Sequence, residues 1–150
     1  MTSVYNSINE IKLRILLLLE TSTQEYLSSD MIAALDFITV YGKEFGVSDK
    51  NLHGDNRFKF SELPSRREIV SMAIKALVVE GMLDISLKNG FEYQINNRGY
   101  KYINSFETEY SEEYSRNASL ACEKYGDMEE AELLKMIQSK SVVPIIREEE

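Results

Sequence analysis

The sequence predicts a mainly α protein: a winged helix-turn-helix with one β-hairpin wing and a C-terminal helical extension. Apolar residues recur at helical spacing in three segments ahead of the hairpin. The third segment stops at Gly81 and leads directly into two alternating runs joined by Asn89-Gly90, a strong sequence signal for a hairpin. Three further helical patterns follow. We therefore expect a winged-helix domain over residues 1–106 and a helical extension with an acidic tail over residues 107–150.

Each of the first two helices combines an apolar face with a polar residue that can cap its N-terminus. The first apolar face consists of Ile8, Ile11, Ile15, Leu18 and Leu19. Asn6 or Ser7 can cap this helix by accepting a hydrogen bond from its first turn. The second apolar face consists of Ile32, Leu35, Phe37, Ile38 and Tyr41. Ser28 or Ser29 can cap this helix, and Gly42 is a candidate end point.

A long loop-like segment, residues 43–59, separates the second helix from the third. Structureless connections of this length are uncommon in compact domains, so the segment has either a role or packing of its own. Pro64 suits the first turn of the third helix because its φ angle is already helical. The apolar residues of the third helix are Ile69, Met72, Ala73 and Leu77.

The hairpin is predicted from alternation on both sides of its turn. The apolar positions are Leu83, Ile85 and Leu87 before the turn and Phe91, Tyr93 and Ile95 after it. Asn96 or Asn97 can cap the helix that follows. The extension then contains two helical patterns, and its last apolar run, residues 142–146, is broken by Pro144.

Composition and charge favour a soluble, cytoplasmic protein. Hydrophobic residues make up 43% of the chain and charged residues 28%, proportions that are typical of globular proteins. The net charge of −8 argues against indiscriminate binding to nucleic acids or anionic membranes. Cys122 has no second cysteine for an intramolecular disulfide, which favours a reducing compartment. We expect no membrane contact, because no apolar run is long enough to cross a bilayer and the first residues lack a basic signal region.

The charges are unevenly distributed along the chain. Residues 57–101 carry 8 basic and 5 acidic side chains, whereas residues 1–56 have a net charge of −4 and residues 102–150 a net charge of −7. In a DNA-reading helix-turn-helix, the start of the recognition helix contacts bases or phosphates. The candidate DNA contacts here are Arg66, Arg67, Lys75 and Lys88. A net charge of +3 is small for such a face, so we expect weak or indirect contact with double-stranded DNA, and a solvated helix surface is the alternative.

Two apolar stripes in the extension are candidates for contact with a partner protein. The first stripe contains Tyr110, Tyr114, Ala118, Ala121 and Tyr125, and the second contains Met128, Ala131, Leu134 and Ile137. Tyrosine and methionine are enriched at protein interfaces. The predicted partner-binding residues are Tyr110, Tyr114, Tyr125, Met128, Leu134 and Ile146. The alternative is that the stripes cover the core of the winged-helix domain.

No pattern in the sequence indicates catalysis or metal binding. The chain has no nucleophile elbow, no Gly-rich phosphate loop and no CxxC motif. A zinc site needs about four suitable ligands, whereas His53 is the only histidine and Cys122 the only cysteine. We expect His53 to order its loop and Cys122 to pack as a small apolar residue. The sequence therefore predicts a protein that is not an enzyme and that needs neither a metal nor a cofactor.

Four segments together resemble a known family: EIKLRILLLLE, SSDMIAALDFITVYGKEF, NLHGDNRFKFSELPSRREIVSMAIKALVVEGMLD and YQINNRGYKYINSF. They are similar to the middle-component family of bacterial three-component ABC-ATPase systems, which belong with the Lamassu group of antiphage defence operons. The resemblance covers about residues 5–125. Its most specific part is the combination of Leu-His, Asp, Phe, Glu-Leu and Arg-Arg-Glu with the helix and hairpin that follow. Gly54 departs from this pattern, because a proline is expected after His53.

The resemblance implies a non-catalytic subunit of an SMC-like ABC-ATPase complex. Such a subunit would bind the ATPase and help to assemble or regulate a complex with a separate effector, often a nuclease. The resemblance transfers no site residue, but it favours a loop-ordering role for Arg66 and Arg67, in which they pair with carboxylates of the LHGD or SEL segments, over contact with DNA. A stand-alone winged-helix transcription regulator is the alternative. A neighbouring gene for a long coiled-coil ABC ATPase distinguishes the first function from the second.

Overall fold

The fold is described from a computed structural model that covers residues 7–54 and 59–149, with side chains through residue 140. These residues form α1 (Ile8–Thr21), β1 (Leu27–Ser28), α2 (Ser29–Val40), α3 (Leu63–Val79), β2 (Leu83–Ser86), β3 (Glu92–Ile95), α4 (Asn97–Asn104), α5 (Glu109–Tyr125) and α6 (Glu130–Glu149). Two short 3-10 helices, Gly42–Phe45 and Lys59–Glu62, lie between α2 and α3. The prediction of a mainly helical protein is confirmed.

Side-chain caps fix where four of the described helices begin; Thr108 caps α5, and the other three caps are among the residues that the sequence predicts. Ser7 caps α1, Ser28 caps α2 and Asn96 caps α4. In these three cases the side-chain oxygen accepts the backbone N–H three residues further on, at 3.1–3.2 Å. These bonds satisfy N–H groups of the first turn that have no acceptor inside the helix. Because such caps need a polar side chain just before the first turn, the polar residues in the sequence predict the start of each of these three helices to within one residue.

The three strands form one antiparallel sheet in the order β1-β3-β2. Leu83 of β2 lies opposite Ile95 of β3, and Ile85 lies opposite Tyr93. The strand β1 was not predicted, because two residues are too few to show alternation. It nevertheless pairs with β3, so the central strand of the sheet is the second strand of the hairpin.

The hairpin is confirmed, but its loop is longer than the two-residue turn that the sequence predicts. The strands end at Ser86 and resume at Glu92, so Leu87 and Phe91 belong to the connection. Gly90 adopts a positive φ of 80°, which favours glycine and explains the Asn-Gly signal. The apolar residues beside the turn therefore project past the paired strands and are not covered by the core.

The core lies between α1, α2, α3 and α5. α5 packs on α1 and α2, and α6 packs on α2 and on the second 3-10 helix. The extension thus contributes buried side chains to the same core, among them Tyr114, Ala118 and Ala121. This packing agrees with the alternative in which the extension covers the winged-helix domain. The predicted boundary at residue 106 falls between α4 and α5.

The loop between α2 and α3 has packing of its own, as its length suggested. Phe45 is buried and lies near the rings of Phe37, Phe60 and Tyr125, at centroid distances of 6.1–6.4 Å. The carbonyl oxygen of Phe45 accepts hydrogen bonds from Lys124 and from the hydroxyl of Tyr125. The described part of this loop is therefore anchored to α5.

Two sequence predictions are wrong in detail. Met72, which was assigned to the apolar face of α3, is 57% exposed, because Ala73 and Leu77 share the buried face with Arg66. Pro144 was expected to break the last apolar run, yet the backbone of α6 continues as a helix to Glu149. None of the described helices combines the length and the apolar character that a bilayer span requires.

Candidate functional site

The first of the predicted DNA contacts, Arg66, belongs to a buried polar network centred on Asp36. Asp36 accepts two hydrogen bonds from Arg14, at 3.0 and 2.9 Å, and one from Arg66 at 2.8 Å. The hydroxyl of Tyr114 donates a fourth, at 2.7 Å. One carboxylate therefore connects α1, α2, α3 and α5.

Electrostatics hold the network in its charged form. Burial alone would raise the pKa of Asp36, but the guanidinium groups of Arg14 and Arg66 and the hydrogen bonds from Arg14 and Tyr114 lower it well below the usual range. Burial would lower the pKa of Arg14, and Asp36 raises it instead. Arg66 also lies 3.4 Å from a carboxylate oxygen of Glu62, which adds a second negative charge. The buried charges are thus closely compensated, and the network has a structural role.

Neither Arg66 nor its neighbour Arg67 presents an unpaired guanidinium to solvent. Arg66 is only 5% exposed, so in this conformation it cannot contact a phosphate. Arg67 makes a bidentate pair with Asp30 of α2, with N–O distances of 3.0 and 2.8 Å. The sequence resemblance favoured pairing with carboxylates of the LHGD or SEL segments, and the contact of Arg66 with Glu62 of SEL agrees with this. Asp36 and Asp30 lie outside both segments, and Asp55 of LHGD lies outside the described residues.

The predicted partner-binding residues of the extension lie mostly inside the protein. Tyr114 is fully buried against Asp36, and the hydroxyl of Tyr125 donates to the Phe45 carbonyl. Met128 and Leu134 are half-buried against the core. Ile146 lies outside the residues whose side chains are described.

Tyr110 belongs to a second polar group, with Glu10 and His53. Its hydroxyl lies 2.8 Å from Nε2 of His53, and the two rings stack with centroids 6.1 Å apart. Burial and the nearby Arg14 lower the pKa of His53 to about 3, so the ring is neutral at physiological pH. Burial raises the pKa of Glu10. These residues attach the loop to α1 and α5, in agreement with the predicted ordering role of His53.

The outer face of α3, unlike the buried networks around Asp36 and Tyr110, is exposed to solvent. Its exposed positions are Pro64, Ser65, Glu68, Met72, Lys75 and Val79. Met72 is 57% exposed and Val79 is 87% exposed, whereas Lys75 is the only cation among these positions. In a helix-turn-helix reader this face would meet the major groove. The single lysine of this face is offset by Glu68, and exposed Met72 and Val79 favour contact with a protein over contact with phosphates.

An open cleft of about 360 Å³ adjoins this face. α3 contributes Lys75, Val78 and Val79 to the cleft, and the hairpin contributes Ile85, Phe91 and Tyr93. Phe91 is 64% exposed, and Leu87 is also exposed at the end of the hairpin. We call this combined area, comprising the cleft with Met72 and Leu87, the α3–hairpin face. Of the predicted site residues, Lys75 lies in it and Lys88 lies exposed beside the hairpin turn.

The apolar members of the α3–hairpin face were not predicted as site residues, because Met72, Ile85 and Phe91 continue patterns that are typical of core-facing positions. One signal was present for the helix. The buried positions Arg66, Val70, Ala73 and Leu77 keep helical spacing, and Met72 and Val79 are out of phase with them. Arg14 and Asp36 were also not predicted as network residues. Each is a charged residue within a strongly apolar helix, and two such residues of opposite charge can form a buried pair.

No cluster of His, Cys, Asp and Glu within the described residues is arranged to hold a metal ion. Cys122 is buried, and burial raises the pKa of its thiol to about 11, so it is protonated at physiological pH. Its packing agrees with the predicted role as a small apolar residue. The α3–hairpin face, with its cleft, remains the strongest candidate for a binding surface in the described part of the chain.

Comparison with known proteins identifies the family. The family model for ABC-three component (ABC-3C) system Middle Component 2 matches residues 4–145. No curated protein and no solved structure matches the chain. The matched range includes α1 to α5 and most of α6, so it extends beyond the segments that carried the sequence resemblance. The chain therefore belongs to the middle component 2 family of ABC-three component systems.

Proposed function

We propose that this protein is a non-catalytic, protein-binding subunit that attaches to the ABC ATPase component of its system and helps to assemble or regulate the complex. The observation that carries the proposal is the α3–hairpin face, which is apolar where a DNA reader would be basic. Arg66 and Arg67 are engaged by carboxylates of the same chain. Membership of a three-component family supports the existence of partner subunits.

We interpret α1 to α4 and the sheet as a winged helix. The order α1-β1-α2-α3-β2-β3, with β1 added to the hairpin, supports this interpretation, and α3 then takes the position of a recognition helix. The sequence resemblance supports the finer proposal that the system is of the Lamassu antiphage type, with an SMC-like ATPase and a nuclease effector. In that setting the protein acts in the cytoplasm and needs no cofactor of its own.

Co-purification tests the proposal directly. The full chain, tagged, is co-expressed with the ABC component and the third component encoded with it, and the complex is isolated in buffer containing a nuclease. We expect the ABC component to co-elute in a fixed ratio after digestion of nucleic acids. Absence of the ABC component from the eluate, with that component soluble in the lysate, would contradict the proposed function.

The alternative function, a stand-alone DNA-binding regulator, predicts tight and sequence-selective binding to duplex DNA. We expect instead weak binding that is lost between about 50 and 200 mM salt, since a few exposed cations on an acidic chain make few phosphate contacts. The measurement is a fluorescence anisotropy titration with unrelated duplexes at both salt concentrations. Lys88→Glu is expected to weaken the low-salt binding of all the duplexes equally. Preference for one sequence at physiological salt would favour the regulator.

A further inference from the structure

We propose that the cleft between α3 and the hairpin binds an acidic amphipathic helix of the ABC component, and that a carboxylate of this helix pairs with Lys75. The inference rests on the proposed function and adds to it the surface and the chemistry of the partner segment. Its grounds are the shape of the cleft, its apolar lining and its single charge.

The position of the cleft favours a helix over an added strand. One wall is α3, with Val78 and Val79, and the other is the hairpin, with Ile85 and Phe91. Tyr93 also lines the cleft, and it belongs to β3, the central strand of the sheet. A strand added at a sheet edge would bond to the backbone of β2 and leave a cleft on the sheet face unfilled. A helix can place side chains from successive turns into such a groove.

The charge of the cleft favours an acidic partner. Lys75 is the only charged residue that lines it, and no described carboxylate forms an ion pair with Lys75. The other cations of α3, Arg66 and Arg67, are engaged by Asp36 and Asp30, so Lys75 is the cation of α3 that a partner carboxylate can meet. A carboxylate entering the cleft would meet an exposed ammonium group surrounded by apolar side chains. A basic segment would instead bring a like charge into the same space.

The same charge disfavours a second copy of this chain on the cleft. A two-fold interface centred on the cleft would bring the two Lys75 side chains together, and the residues that line the cleft include no carboxylate to pair with them. A symmetric contact through the cleft is therefore disfavoured, and the ABC component is the partner that the proposed function supplies.

The experiment measures the affinity of the full chain for the purified ABC component by biolayer interferometry at fixed ionic strength. Val79→Asp and Lys75→Glu are each expected to weaken binding by about tenfold or more, because each places a negative charge where an acidic helix binds. The matched controls are Leu120→Asp on α5, an exposed apolar position outside the cleft, and Lys101→Glu, an exposed lysine of α4. Both controls are expected to bind within about twofold of the parent chain, as substitutions outside an interface do.

A photo-cross-linking amino acid at position 79 then identifies what occupies the cleft. The expected cross-linked peptide comes from the ABC component and carries apolar residues three and four apart with at least one Asp or Glu. Replacing that acid with Lys should restore binding to the Lys75→Glu variant by about tenfold. Recovery of a second copy of this chain or of DNA would overturn the inference.

The outcomes separate this inference from the proposed function. If the parent chain binds the ABC component and the cleft variants bind it as tightly, the cleft assignment is overturned while the proposed function stands. If the parent chain binds neither component of the system, both are contradicted.

Discussion

Replacing Asp36 with Asn should destabilise the protein by about 3–5 kcal/mol, the cost typical of removing one partner from a buried ion pair. The substitution keeps the shape of the side chain but removes its charge. Arg14 and Arg66, which both donate to this carboxylate, would then remain buried beside a neutral amide. The free energy of unfolding is measured by urea denaturation, monitored by circular dichroism.

Asp30→Asn is the matched control, because Asp30 also pairs with an arginine, but at the surface. The side chains of Arg67 and Asp30 are 40% and 35% exposed, so water screens the pair and its loss should cost about 0–1 kcal/mol. Equal effects of the two substitutions would contradict the assignment of Asp36 as the centre of the network.

Acid should destabilise the protein through His53, by about 2 kcal/mol between pH 7 and pH 4.5. The pKa of His53 is lowered from 6.5 to about 3 in the folded state, so below pH 6.5 the unfolded chain binds a proton that the folded chain does not. Stability therefore falls as pH falls through this window. Protonation of Asp36 also lowers the free energy of unfolding, but only near and below pH 3.8, the ordinary pKa of an aspartate. Glu10 has the opposite effect near pH 4.5 and above, because its raised pKa lets the folded chain bind a proton that the unfolded chain does not, which increases stability as the pH falls.

The His53→Gln variant isolates this contribution. His53 is the only histidine, so no second imidazole titrates in this range. The variant should be less stable at pH 7 if the contact with Tyr110 is lost, but its stability should change less with pH than that of the parent chain. Parallel curves of unfolding free energy against pH would show that His53 does not cause the acid sensitivity.

Local sequence signals predicted those parts of the fold that depend on short-range chemistry. Ser7, Ser28 and Asn96 cap helices because their side chains bond to their own backbone neighbours, and Gly90 permits a positive φ. These interactions span only a few residues, so a single sequence contains them. The strand β1 has no such signal, since it exists only because Leu27 and Ser28 pair with β3 more than sixty residues away.

The candidate site was harder to predict, because exposure depends on which elements cover which. Arg66 has the residue type of a DNA contact, but its helical phase with Val70 and Leu77 places it on the buried face. Tyr114 has the residue type of an interface anchor, yet α5 lies across α1 and α2 and buries it. Phe91 continues the alternation of a core-facing strand, but the hairpin extends beyond the helices that would cover it. In each case the tertiary packing decides whether the side chain is exposed.

Hydrogen–deuterium exchange on the complex with the ABC component shows whether the α3–hairpin face contacts a protein partner. We expect binding to slow exchange at the C-terminal half of α3 and in the hairpin, residues 72–95, and to leave α5 unchanged. Protection confined to α5 and α6, with residues 72–95 exchanging as in the isolated protein, would contradict the account.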